Sequence, residues 1–135
     1  MIRVYRHNKE AKLPTRNKSL DAGLDLYSIE TKFIEKGQTV TIDTGIAVEI
    51  PEGYYGKLFT RSSMAKNGLV VLGGVIDSGF VGNLTVIVHN LSNDSSLNTL
   101  PGLNGGYFVE KGDRIAQLVI QPCLLTDCIE TTYLS

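Results

Sequence analysis

One carboxylate and one ring stand close together in a glycine-rich stretch: Asp77 and Phe80, within Gly73-Gly74-Val75-Ile76-Asp77-Ser78-Gly79-Phe80-Val81-Gly82-Asn83-Leu84. A lone acid between Ile76 and Ser78 can order and deprotonate a water as a general base. It can equally be a turn former. The glycines imply tight turns, or close approach of the backbone to a ligand. The stretch reads as a β-hairpin whose tip presents an acid and a ring to something small and flat.

Three other groups carry chemistry. Arg61-Ser62-Ser63 opens a short helical pattern. A guanidinium beside serine hydroxyls is suited to gripping a phosphate, although the same residues make an ordinary helix cap with an exposed arginine. Asp25 sits in the apolar run Ala22-Gly23-Leu24-Asp25-Leu26. A carboxylate there needs a cation or a metal-bound water, unless it lies at an edge or a turn. Gln117, in Ile115-Ala116-Gln117-Leu118, falls on the opposite strand face from its neighbours. It can reach a ligand or satisfy a nearby backbone group.

These residues need elements to hold them, and the chain is patterned as short strands cut by turn residues. Strands are expected over Ile2-Tyr5, Leu24-Tyr27, Phe33-Ile34, Val40-Ile42, Ile46-Ile50, Tyr54-Phe59, Val70-Leu72, Leu84-His89, Tyr107-Val109 and Ile115-Ile120. Turns fall at Glu35-Lys36-Gly37-Gln38 and Pro51-Glu52-Gly53. The single helical candidate, Ser62 to Asn67, has a serine as its expected N-cap and stops at Gly68. Residues 92–106 are polar and full of breakers, an unusually long surface loop. The expectation is one all-β domain over residues 1–135, a sandwich or jelly roll with one short helix.

Composition excludes several classes. Thirteen Lys and Arg against fourteen Asp and Glu leave a net charge of −1, which gives no electrostatic reason to expect nucleic acid or an anionic membrane as partner. Hydrophobic residues at 42% and charged residues at 20% are an ordinary globular balance. The start, Met1-Ile2-Arg3-Val4-Tyr5-Arg6-His7, lacks a secretory pattern, so an intracellular protein with Cys123 and Cys128 as reduced thiols is expected.

Taken one by one these features are ambiguous, but their order and spacing are specific. Ala22-Gly23-Leu24-Asp25-Leu26-Tyr27-Ser28, Pro51-Glu52-Gly53 with Arg61-Ser62-Ser63-Met64-Ala65, Gly74 to Leu84, and Gly112-Asp113-Arg114-Ile115-Ala116-Gln117-Leu118 resemble the first four motifs of the trimeric dUTPase family. The resemblance runs from about residue 20 to residue 120. It implies a jelly roll, a distorted β-barrel, assembling as a homotrimer whose sites draw on more than one subunit. It also implies Mg²⁺-dependent hydrolysis of dUTP to dUMP and pyrophosphate, which limits uracil incorporation into DNA. By motif, Asp77 would activate the attacking water and meet the 3′-hydroxyl, and Phe80 would stack on the sugar. Backbone groups of Gly74, Val75, Ile76 and Thr85 would read uracil. Arg61, Ser62, Ser63 and, from a neighbouring subunit, Gln117 would hold phosphates. Asp25 would hold a water of the Mg²⁺ shell.

The chain departs from that family pattern in four places. Phe80 stands where tyrosine is usual, and Val81 where a basic or polar residue is common. The 92–106 loop is long. The residues after the fourth motif, Gln121 to Ser135, contain no glycine and no arginine, so the family's fifth, lid-forming motif is missing from them. Closing lids exclude water and complete the phosphate cage. The 92–106 loop is a candidate substitute, and a non-catalytic interaction or signalling module on the same fold is the alternative function.

Overall fold

The structure is a computed structural model that describes residues 1–92 and 105–135. Eleven strands and one short helix follow in order: β1 (Arg3–Arg6), β2 (Leu24–Tyr27), β3 (Lys32–Ile34), β4 (Thr39–Asp43), β5 (Ile46–Glu49), β6 (Tyr54–Phe59), α1 (Ser62–Lys66), β7 (Leu69–Leu72), β8 (Val75–Ile76), β9 (Thr85–Asn90), β10 (Tyr107–Val109) and β11 (Arg114–Pro122). The all-β class with a single short helix is as expected, and every strand but β8 lies within a residue or two of a patterned run.

Alternation explains the sheets. In β9, Val86, Val88 and Asn90 point into the core while Thr85 and Ile87 face out. Its partner β4 buries Ile42 between exposed Thr41 and half-buried Asp43. Each apolar side chain so buried contributes about 1.5–3 kcal/mol. Strands assemble as β1-β5, β10-β3, β2-β11-β6-β8 and β4-β9-β7, and every pairing between them is antiparallel. Leu26, Ile34, Ile42, Leu58, Leu69, Val86, Ile115 and Leu118 form the shared core.

Two local expectations change. Residues 73–84 are not a simple hairpin: β8 pairs with β6, whereas β9 pairs with β4 and β7. The two arms of the Asp77 turn therefore belong to different sheets. Serine is not the N-cap of α1 either; Arg61 is, with extended φ and ψ and no side-chain cap, and its carbonyl accepts from the N–H groups of Met64 and Ala65. The expected 92–106 loop lies almost wholly outside the described residues.

Candidate active site

The four-stranded sheet gathers one group of expected residues at its β2 side. Gln117 on β11 stands opposite Asp25 on β2 and opposite Phe59 on β6. Two residues beyond Phe59 the chain turns into α1, which brings Arg61 over this row. Its Nε donates to Asp25 Oδ1 at 3.1 Å and its Nη1 donates to Ser63 Oγ at 3.2 Å. Asp25 is fixed through its backbone: its N–H donates to the carbonyl of Thr15 at 2.7 Å, and its carbonyl accepts from Thr15 N–H at 3.2 Å. The Asp25 side chain is 13% exposed, and Arg114 Nη1 lies 3.9 Å from its second oxygen.

Gln117 takes the local option as well as lying in the row. Its Nε2 donates to the carbonyl of Thr60 at 3.2 Å. Gly23 makes room for it, because a Cβ there would lie 2.5 Å from Gln117 Oε1. Ser62 is the first residue of α1 and is exposed, as is Ser63.

Arg61, Ser63, Met64, Tyr107, Val109, Asp113, Arg114 and Ile115 line a cavity of about 310 Å³. Burial raises the Tyr107 phenol above its ordinary range; Asp113 pushes the same way and Arg61 opposes. Sequence patterning does not single out Arg114 or Tyr107. The available signal for Arg114 is a cation on the strand that carries Gln117.

The second group lies at the other side of the same sheet. Asp77 is exposed and opens a turn in which Phe80 N–H donates to the Asp77 carbonyl at 3.0 Å. The Phe80 ring lies over Gly82, where a Cβ would be 2.9 Å from Cζ, and 44% of the residue is exposed. Gly74 has φ +99°, a conformation that needs glycine, and its carbonyl accepts from Leu58 N–H at 2.8 Å. Ile76 is core, so its side chain is turned away from solvent, whereas Val75 is 61% exposed. Thr85 faces out from the start of β9. Since β8 ends the sheet, the backbone edge that it turns away from β6 has no strand partner among the described residues.

Within one chain these two groups do not meet. Asp25 lies three strand spacings from β8 and level with Phe59, while Ile76 is level with Gly56. At about 4.8 Å between strands and about 3.3 Å per residue, Asp25 and Asp77 are roughly 20 Å apart. On the roles expected from the sequence, each would be half of a site.

No group of three or more His, Cys, Asp and Glu among the described residues could cage a metal. No described helix is long and apolar enough to cross a membrane. Cys123 and Cys128 are free thiols.

With this geometry in view, comparison with known proteins is direct. The family profile described as dUTPase matches residues 9–133. A deoxyuridine 5′-triphosphate nucleotidohydrolase of Fowlpox virus is 37% identical over 134 residues, 98% of this chain and 85% of that protein. One from Alkaliphilus metalliredigens is 39% identical over 137 residues, 99% of this chain and 88% of that protein. Among solved structures, a mutant dUTPase of Staphylococcus bacteriophage 80alpha with dUpNHpp superposes with a TM-score of 0.88 at 35% identity, covering 99% of this chain and 89% of that one. A mutant dUTPase from phage phi11 of S. aureus, whose structure details the coordination of a structural Mg(II) ion, gives 0.86 at 32% identity, covering 98% and 97%.

Proposed function

The chain belongs to the dUTPase family, and from that premise we infer that it hydrolyses dUTP to dUMP and pyrophosphate. The match along residues 9–133 carries this reading, because it takes in the Asp25, Arg61, Asp77 and Gln117 stretches together.

In the proposed mechanism Asp77 holds a water and takes its proton. The water oxygen bonds to the α-phosphorus, and the bond from that phosphorus to the bridging oxygen breaks, so pyrophosphate leaves. An exposed carboxylate on a turn closed by Phe80 is free to do this. Phe80, braced on Gly82, offers its ring to the deoxyribose. The outer edge of β8 and the backbone near Thr85 read uracil. Arg61, Ser62, Ser63 and Gln117 hold phosphate oxygens, and the guanidinium charge offsets that of the triphosphate.

Mg²⁺ fits this donor set in one way. With no protein cage among the described residues, the ion would be held by phosphate oxygens and waters, and Asp25 would accept from one of those waters. Such an ion, when bound, neutralises phosphate charge.

The half-sites, roughly 20 Å apart, support a site completed by another copy of the chain, and the family resemblance makes a homotrimer the proposed assembly. The exposed apolar side chains of Leu124, Leu125, Ile129, Tyr133 and Leu134 support association.

Pyrophosphate release from dUTP with Mg²⁺, run beside dCTP, dTTP and UTP, tests the reading. Selective release from dUTP, lost in Asp77→Asn, is expected. Equal release from dCTP, or full activity in Asp77→Asn, would refute it.

A further inference from the structure

We propose that Arg114 is a positioning residue for the phosphate clamp: it shares the Asp25 carboxylate with Arg61 and thereby keeps the outer edge of the Arg61 guanidinium available to phosphate. The inference rests on the reading of Arg61 as that clamp.

The backbone is built to bring Arg114 there. Arg114 and Gln117 are three residues apart on β11, so in a regular strand their side chains would point to opposite faces. The β11–β2 ladder is not regular. Gln117 stands opposite Asp25 and Ala116 opposite Leu26, but Arg114 stands opposite Tyr27, with the register shift between Arg114 and Ala116. Continued without that shift, the ladder would set Arg114 opposite Ser28, on the other face. Tyr27 is two residues from Asp25 and shares its face, so the bulge turns Arg114 onto the side of Asp25. Bulges beside active sites re-aim side chains in this way.

The charges then explain what Arg114 does. Asp25 is pinned on both backbone groups by Thr15 and is mostly buried, so its carboxylate needs cations. Arg61 gives it only Nε and uses Nη1 on Ser63 Oγ. Among the described residues, Nη2 of Arg61 has no hydrogen bond. Arg114 faces the other carboxylate oxygen at 3.9 Å. Two guanidiniums on one carboxylate leave the Arg61–Asp25–Arg114 group with one uncompensated positive charge, beside a cavity that both arginines and Asp113 line. Removing Arg114 leaves Asp25 with Arg61 as its one close cation among the described residues. The pair can then close into a bidentate contact that competes with phosphate.

A double-mutant cycle separates positioning from direct contact. The dissociation constant of dUpNHpp is measured for the parent protein, Arg114→Met, Asp25→Asn and the double variant, with kcat on dUTP for Arg114→Met. Arg114→Met should weaken binding about tenfold and leave kcat within about twofold. In the Asp25→Asn background the same change should alter binding by less than about twofold. Arg114→Gln, which keeps a polar side chain at this half-exposed position, should behave like Arg114→Met, and Arg114→Lys should recover most of the affinity. An undiminished tenfold loss in the Asp25→Asn background would mean that Arg114 acts on phosphate directly, and would overturn the inference. So would unchanged binding in Arg114→Met and Arg114→Gln. Arg61→Met is the separate control: unchanged affinity there would refute the clamp itself.

Discussion

Gly23→Ala probes the packing that holds Gln117 in the site. Gly23 is buried, and a Cβ added to it would lie 2.5 Å from Gln117 Oε1 and 2.9 Å from Gln117 Cβ. The amide end can rotate away, but Cβ moves only with the β11 backbone. Overpacking of this kind costs about 1–3 kcal/mol. Losing the bond from Gln117 Nε2 to Thr60 adds about 1 kcal/mol. Together these predict a Tm lower by on the order of 10 °C for a chain of this size at fixed protein concentration. If Gln117 touches a phosphate, its displacement removes a hydrogen bond to a charged group, so kcat/KM for dUTP should fall roughly ten- to a hundredfold. The control is Gly23→Ala in a Gln117→Ala background. There the kinetic effect should vanish, while part of the Tm loss persists because the contact with Cβ remains. A Gly23→Ala protein with the parent's Tm and kcat/KM would refute the packing argument. An equal kinetic loss in both backgrounds would refute the role of Gln117.

Three further outcomes are expected. Gly82→Ala places a methyl 2.9 Å from the Phe80 ring and must shift it, so the preference for dUTP over UTP should drop several-fold in competition kinetics. Asn90 is fully buried; its Nδ2 donates to the carbonyls of Ile34 and Gly105, and its Oδ1 accepts from Ser92 N–H. Asn90→Ala strands those carbonyls and should cost about 2–5 kcal/mol in urea unfolding. Tyr107 has its pKa raised by burial, so its contribution to stability is complete below the unfolded tyrosine value and is lost as pH climbs through the folded one. Tyr107→Phe should therefore flatten the alkaline limb of the stability curve above about pH 10, read as Tm against pH.

Most of the scaffold is legible because its signals are local. The alternation in Thr39–Asp43 and Thr85–Asn90, and the turns at Gly37 and Gly53, act within a few residues, and the strands form where they say. What escapes depends on partners far along the chain. β8 is two residues long, too short to carry a period, and its pairing with Gly56 and Lys57 rather than with β9 is set by tertiary packing. The β11 bulge is also silent, because Arg114-Ile115-Ala116-Gln117 reads equally well as a regular strand. Hence Gln117 is found from alternation and Arg114 is not. The N-cap of α1 lies one residue earlier than expected, at Arg61, whose side chain does not cap the helix and instead reaches Asp25 across 36 positions.

The distance between the half-sites constrains the assembly more tightly than either half alone. In the proposed mechanism, a water held by Asp77 has to come within about 3–3.5 Å of a phosphorus whose oxygens Arg61 would grip. Adjacent atoms of one phosphate cannot bridge roughly 20 Å of sheet. Nor can the sheet fold to close the gap, because β11 and β6 lie between β2 and β8 and are hydrogen-bonded to both neighbours. With the proposed roles, the Asp77 turn of one chain would therefore meet the Arg61 clamp of another. On this reasoning a dissociated chain binds weakly and turns over nothing, however well it is folded. It also fits the observation that Asp77, the proposed base, has no ion pair among the described residues: in this proposal its working partners arrive with the substrate and the second copy.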